Sequence, residues 1–529
     1  MISDFVPLPA LRETIFLRSE NFPSLPAHPP PPPIVFPSMP PNSTRQSGVS
    51  VCASRLLLSA RLALTALLAA TTLATAHASN VGRRFPSEKK TYTDKVTGLT
   101  ITALTTDPES SEAKPYQTHT TWTADGQWII FRADKAGSGN QAFLVHEKNG
   151  DIIQLTDGPT TDTGSLNLSR KTNTLYYLRG GPQRRPAPNA PADAPPPTPA
   201  TPRELVELSL DPLIADSLAG TPKNASAYER VVAVLPENLR DSGGFALDAD
   251  ESRAYWGVAT GPERPRAPQP TTRTAPPAGV TGAPNTQGGR LLDQQNTDPA
   301  QSREASRKRF EENGRGPGGI RSIDLKTGEI KTVIDVDFRM GHVQTNPWVP
   351  GEIIYCHETT GDGPQRMWTV MGDGSNNRPL YAETPDEWIT HETVATKDEV
   401  MFNIMGHLPY LRERPTGVAV INLRTNQMKI LGQMEEDTGR RGTGGFWHCN
   451  GSSDGKWAVA DNFGGDVYLI DRRNGEMTKL TTDHKMRPDH THPIISPDDK
   501  RVLIQSGHFT DGKTLDLLVV DIPEKLLAR

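Results

Sequence analysis

The sequence predicts an all-β fold, a seven-bladed β-propeller, from three observations. A strand–turn–strand unit recurs seven times after residue 100. Two further short strands follow most copies, so each unit of roughly 45 residues carries four strands. No long helical pattern interrupts the series, and only the highly charged stretch 302–313 reads as a helix.

Residues 1–78 stand apart from this repeat. Pro29 to Pro33 are consecutive, and such a segment builds no core. Arg55, Leu56, Leu57, Leu58 and Arg61 then lead into an apolar stretch from Leu62 that ends at Ala76, His77 and Ala78. A basic start, a short apolar middle and a small-residue end describe a secretory signal peptide. The apolar run is short for a stable membrane span. Met39 would start a leader of ordinary length, so the mature chain is expected to begin near Ser79 and to be periplasmic or secreted.

Residues 79–529 carry the blades. The clearest repeat copies are 119–131, 448–460 and 492–504, each with a turn of the Asp-Gly or Pro-Asp-Asp kind before a β-branched or aromatic strand. Weaker copies begin near Ser165, Gly244, His342 and His391. The third and fourth strands show at 142–145 with 150–153, at 321–325 with 327–330, and at 466–471 with 474–476. Their Asn-Gly and Thr-Gly pairs are hairpin turns. Two spacings are stretched, by 181–203 and 262–318, whose Pro, Gln, Thr and Gly content without apolar period predicts disordered inserts.

Charge is near balance, with 57 Lys and Arg against 62 Asp and Glu, which argues against a nucleic-acid surface. Of three cysteines, Cys52 lies in the leader, and Cys356 and Cys449 read as buried free thiols. Gly451 to Gly455 matches G-x-S-x-G. It falls on a blade turn with no strand-to-helix context, and no room remains for a hydrolase domain.

Five of the 13 histidines share one repeat position: His119, His342, His391, His448 and His492. The first strand of a blade lines the central channel, so residues at its start converge on one channel mouth. His490 shares a strand face with His492 if that segment is extended. One such histidine would read most simply as a partner for neighbouring backbone. Five together supply ligands for a divalent metal and a general base near neutral pH.

The set His342-Val-Gln-Thr-Asn-Pro347, Cys356-His-Glu358, Gln365-Arg-Met-Trp368, His391-Glu392, Trp447-His448 and His490-Thr-His-Pro-Ile-Ile-Ser-Pro-Asp-Asp499 resembles the oligogalacturonate lyases, in the same order. The resemblance covers roughly 90–529. It implies a seven-bladed propeller that cleaves uronic-acid oligosaccharides by β-elimination. It also implies His342 as base, His391, His490 and His492 as ligands of a divalent metal, manganese by resemblance, and Arg366 as partner of the substrate carboxylate. His119 and His448 are expected to touch substrate. Arg487 stands where the family has a metal-binding glutamine, and a guanidinium cannot ligate a cation. Either His448 or water completes the metal group, or Arg487 itself neutralises the carboxylate. A non-catalytic TolB-like propeller that binds a protein or glycan is the rival, and it predicts histidines scattered around the ring.

Overall fold

The computed structural model describes residues 79–181, 201–261, 315–358, 365–383, 389–404, 417–434 and 445–528. The leader, the cores of both inserts and the predicted helix at 302–313 lie outside these residues.

Seven antiparallel sheets make seven blades, six of four strands and one of five. Blade 2 runs from Thr161–Leu168 outward to Glu229–Val234, and blade 3 from Arg240–Leu247 to Ile330–Phe338. Blades 4, 5 and 6 begin on inner strands Met340–Thr345, Ile389–Thr396 and Phe446–Gly451. Blade 1 has Trp128–Ala133 as its innermost full strand, and Trp122 bridges to Ile129 further in. The repeat heads read from sequence thus fall on the inner edges of successive blades. Strand residues also occupy the ends of both insert ranges, at Gly181, at Thr201–Ser209 and at Arg315–Asp324.

The blades pack face to face through their apolar residues. Trp128, Leu144 and Ile153 of blade 1 meet Leu175, Tyr177 and Val206 of blade 2 in one buried cluster. Branched and aromatic residues fit this pleated contact better than flexible ones. A helix, Leu210–Leu218, was not apparent in the sequence. Pro212 sits in its first turn, where a missing N–H costs nothing. Leu210, Leu213 and Ser217 face inward at spacings of three and four, and the Ser217 hydroxyl donates to the Gly82 carbonyl. Among the described residues no helix is long and apolar enough to cross a membrane.

Ring closure comes from an N-terminal segment that the repeat reading left unplaced. Thr100–Ala103 pairs with the last strand, Asp516–Asp521, in the register Val519 opposite Thr102, and Lys90–Thr93 adds outside it. Beside this seam lies a buried ionic group. The Lys135 ammonium is 2.7 Å from Glu112, 2.9 Å from Glu88 and 3.5 Å from Asp107. Neither Asp516 carboxylate oxygen, both buried, has a hydrogen-bond partner. Burial, then the charges of Glu112 and Glu88, push the Asp516 carboxyl up to about 8.

Candidate active site

The inner strands are bulged where the site forms. Register slips between Asp241 and Phe245 in blade 3, Gly341 and Gln344 in blade 4, Thr390 and Thr393 in blade 5, and Phe446 and His448 in blade 6. A bulge inserts an extra residue and re-aims side chains, and it often demands a left-handed backbone. Blade 3 meets that demand with Gly243 and Gly244, at φ +90° and +80°. Blades 4 and 5 use His342 (φ +48°) and His391 (φ +56°) instead, and His492 at the head of blade 7 has φ +45°. A left-handed non-glycine residue costs about 1–3 kcal/mol, which the surrounding sheet must over-determine.

Two groups result. In the first, His342 sits between two carboxylates: its Nδ1 is 3.7 Å from Glu392 Oε1 and its Nε2 is 3.6 Å from Glu358 Oε2. Glu392 is fully buried, whereas the His342 side chain is 26 % exposed. Arg366, almost fully buried, ties both acids, with Nε 3.4 Å from Glu392 and Nη1 3.9 Å from Glu358. Its backbone N–H donates to Glu383 at 3.0 Å.

In the second group His448 is the hub. Its ring stacks on His492 with centroids 3.8 Å apart and lies 4.3 Å from His391 and 5.5 Å from His490. Asp461, fully buried, accepts from the His448 N–H at 2.7 Å and the Thr491 hydroxyl at 2.7 Å, and lies 3.3 Å from His448 Nδ1. His391 Nδ1 is bonded to the Trp447 carbonyl. His492 Nδ1 bonds Gln117 Oε1 at 3.0 Å. One ligand atom each from His448, Asp461 and His490 fall within 4.8 Å of one another. His490 Nδ1 is buried without a partner.

Burial holds His391, His448 and His490 neutral. It pushes His490 down to about 4, and it pushes His391 and His448 well below their ordinary value, with neighbouring histidine charges adding to it. Neutral imidazole is the ligand form. Burial works to raise the Asp489 carboxyl, but charge and hydrogen bonding from His492 outweigh it and hold the carboxyl well below the usual range. Tyr116 stands edge-on to His342, His448 and His492 at 5.3–6.1 Å between centroids, and so touches both groups.

The structure therefore brings together His342, Arg366, His391, His448, His490 and His492. Two further sequence-predicted residues have different surroundings, although His119 still feels the charge of His342. His119 has both ring nitrogens engaged, with the Thr118 hydroxyl at 2.9 Å and the Phe245 carbonyl at 3.1 Å, the backbone-partner role a single histidine suggests. Arg487 is exposed beside the turn at Gly507 and Gly512 and makes no side-chain contact with the histidines. The cation near Asp461 and Asp489 is instead Lys114, 3 % exposed, which burial lowers to about 7 against the pull of those two acids.

Sequence reasoning missed Asp461, Asp489, Tyr116, Gln117 and Lys114. Glu358 and Glu392 were present in the matched motifs, next to histidines, but carried no role of their own. Tyr116 and Gln117 lie just before the head of the first repeat, where only the ring geometry turns them inward.

No family model matches the chain. It is 21 % identical over 464 residues to an oligogalacturonide lyase of Pectobacterium atrosepticum, covering 84 % of this chain and 99 % of that one. An oligogalacturonate lyase of Dickeya dadantii is 26 % identical over 223 residues, 39 % of this chain and 55 % of that one. Among solved structures, an oligogalacturonate lyase in complex with manganese superposes with a TM-score of 0.60 at 20 % identity, over 84 % of this chain and 99 % of that one. An oligogalacturonate lyase from Vibrio parahaemolyticus gives 0.59 at 18 %, with the same coverage. The resemblance carried by the motifs thus extends along the propeller, and the fold is the one expected.

Proposed function

We propose that this propeller is an oligogalacturonate-lyase-like enzyme that cleaves uronic-acid oligosaccharides by β-elimination. The observation that carries this reading is the meeting of repeat heads from blades 4 to 7 at one channel mouth. There a carboxylate-flanked histidine adjoins a buried histidine group.

The reaction needs a base for the C5 proton of a uronate and a positive environment for its carboxylate. We assign the base to His342. Glu392, buried 3.7 Å from Nδ1, and Glu358, 3.6 Å from Nε2, flank a ring that is 26 % exposed, so two carboxylates stand ready to stabilise the imidazolium that proton uptake creates. The electron pair of the broken C5–H bond forms the C4=C5 double bond as the C4–O bond breaks, and the departing oxygen takes a proton. Arg366 fixes Glu358 and Glu392 around the base, and its remaining N–H groups suit a carboxylate partner.

The donor set fits a divalent cation. His448, Asp461 and His490 would hold it, with His391 and His492 in the adjoining shell, and the orphaned His490 Nδ1 supports the fit. Bound there, a cation such as manganese would draw charge off the uronate carboxylate and acidify C5–H. Lys114, lowered by burial to about 7, places a titratable amine near the same acids.

Incubation with oligogalacturonate, with and without manganese, tests the reading through the ultraviolet absorbance of the unsaturated product. Absence of that signal with every uronide tried would sink it. The leader at 55–78 supports export, and a secreted chain starting near Ser79 by mass spectrometry would bear on that point.

A further inference from the structure

Three donor atoms beside the base belong to chemically different residues: an imidazole nitrogen, a thiol sulfur and a carboxylate oxygen. His342 comes from the bulge on the inner strand of blade 4. Cys356 and Glu358 come from the end of the next strand, Glu352–His357, and the residue after it. One ligand atom from each lies within 4.8 Å of the others. Glu358 Oε2 is 3.6 Å from His342 Nε2 and 3.7 Å from Cys356 Sγ.

The two separations from Glu358 approach those of a particular coordination geometry. Zinc bonds of about 2.0–2.3 Å at the tetrahedral angle place neighbouring N, O and S ligand atoms about 3.3–3.6 Å apart. Glu358 Oε2 lies within a few tenths of an ångström of that spacing from each partner. Gly341 leaves the approach clear, because a Cβ there would lie 2.9 Å from Glu358 Oε2 and 3.0 Å from Cys356 Sγ. Glu358 can serve two partners at once, since its other oxygen, Oε1, is the one facing Arg366. His342 would bind through Nε2, which leaves Nδ1 on the side of the buried Glu392 carboxylate, 3.7 Å away, where a small closure would make the outer-shell contact that metal-bound histidines generally make.

We propose that His342, Cys356 and Glu358 form a binding site for a soft divalent cation of the zinc class, and that its occupation blocks the base. This site differs in chemistry from the group around His448, which offers only nitrogen and carboxylate oxygen. A thiolate donor selects zinc-class ions over manganese, so the two sites discriminate between metals. Binding exchanges the Cys356 S–H bond for an S–metal bond and releases that proton to solvent. It also takes up the Nε2 lone pair that would accept the C5 proton. The inhibitory half of the proposal rests on His342 being the base; the binding half does not.

The test uses the full chain and two readouts. Added Co2+, a spectroscopic stand-in for zinc, should give a thiolate-to-cobalt charge-transfer band. That band should vanish in Cys356→Ser, persist in Cys449→Ser, and need at least about tenfold more cobalt in Glu358→Gln. Zn2+ should displace the cobalt and suppress oligogalacturonate cleavage, and Cys356→Ser should keep a larger fraction of its own zinc-free rate at the same zinc concentration. No band in the unaltered chain, or a band that survives Cys356→Ser, overturns the site. A band without zinc inhibition keeps the site and rejects its blocking of the base. A band in a chain with no cleavage of any uronide leaves the metal site standing while the lyase reading falls.

Discussion

The histidine group at the channel mouth and the acidic group at the ring seam are both buried, and they meet the cost of burial in opposite ways. At the mouth the buried bases give up their charge: His490 is lowered to about 4, and His391 and His448 go well below their ordinary value. At the seam the lysine keeps its charge, because Glu112 and Glu88 outweigh its burial, while burial lifts Glu112 itself to about 7. Asp516, beyond that compensation, keeps its proton instead. Neutral imidazoles with open lone pairs are reagents. A saturated ammonium is a strut. The difference separates the part of the molecule poised to bind from the part that holds the ring shut.

The comparison can be broken most directly at the base. His342→Ala should lower turnover by about 10²–10⁴-fold while the melting temperature stays close to that of the unaltered chain. A variant with full activity would remove His342 from its role. At the seam the effects should reverse. Lys135→Met leaves Glu112 buried without its cation and should cost about 3–5 kcal/mol of stability in urea unfolding, with the cleavage rate of the folded fraction preserved. A stability unchanged by that substitution would show that the lysine is no strut.

The two regions should also fail on opposite sides of neutral pH. His490 is about 4 folded against an ordinary 6.5, so the unfolded chain binds the extra proton between those values, and stability at the mouth is lost as pH falls from 6.5 toward 4. Asp516 is raised from 3.8 to about 8, so here the folded chain holds the extra proton. That contribution is complete below pH 3.8 and is lost as pH rises through 8. Asp516→Asn should flatten the alkaline limb of a melting-temperature profile and leave the acid limb in place; equal changes on both limbs would count against the assignment. Smallest of all, Arg487→Ala should change kcat/KM by less than about threefold, as for an exposed residue outside the cluster. A larger loss would return Arg487 to the site.

The blades were legible because propeller repeats are local: a polar head, a turn and a β-branched strand fall within a dozen residues. Five aligned histidines were legible for the same reason, since one repeat position maps to one radius and one height. What the repeat could not convey was anything contributed from outside its own frame. Tyr116, Gln117 and Lys114 precede the first head. Asp461 sits on the second strand of blade 6, opposite His448 across a bulged pairing. Sequence offered Arg487 as one of two ways to neutralise the carboxylate, by its position relative to His490, whereas the buried amine acted on by Asp461 and Asp489 is Lys114. Helix Leu210–Leu218 is short and carries a proline, so it left little periodic signal.

Closure of the ring by Thr100–Ala103 against Asp516–Asp521 has a temporal consequence. The strand that the opening segment waits for follows every other described strand along the chain, so a prefix that stops short of it cannot complete the circle. Donors scattered from Tyr116 to His492 are brought to one mouth by that same event, and long-range pairings of this kind are slow to form. Site assembly is then expected to come late: a product stopped before residue 516 carries all 13 histidines of this sequence but lacks the strand that closes the ring.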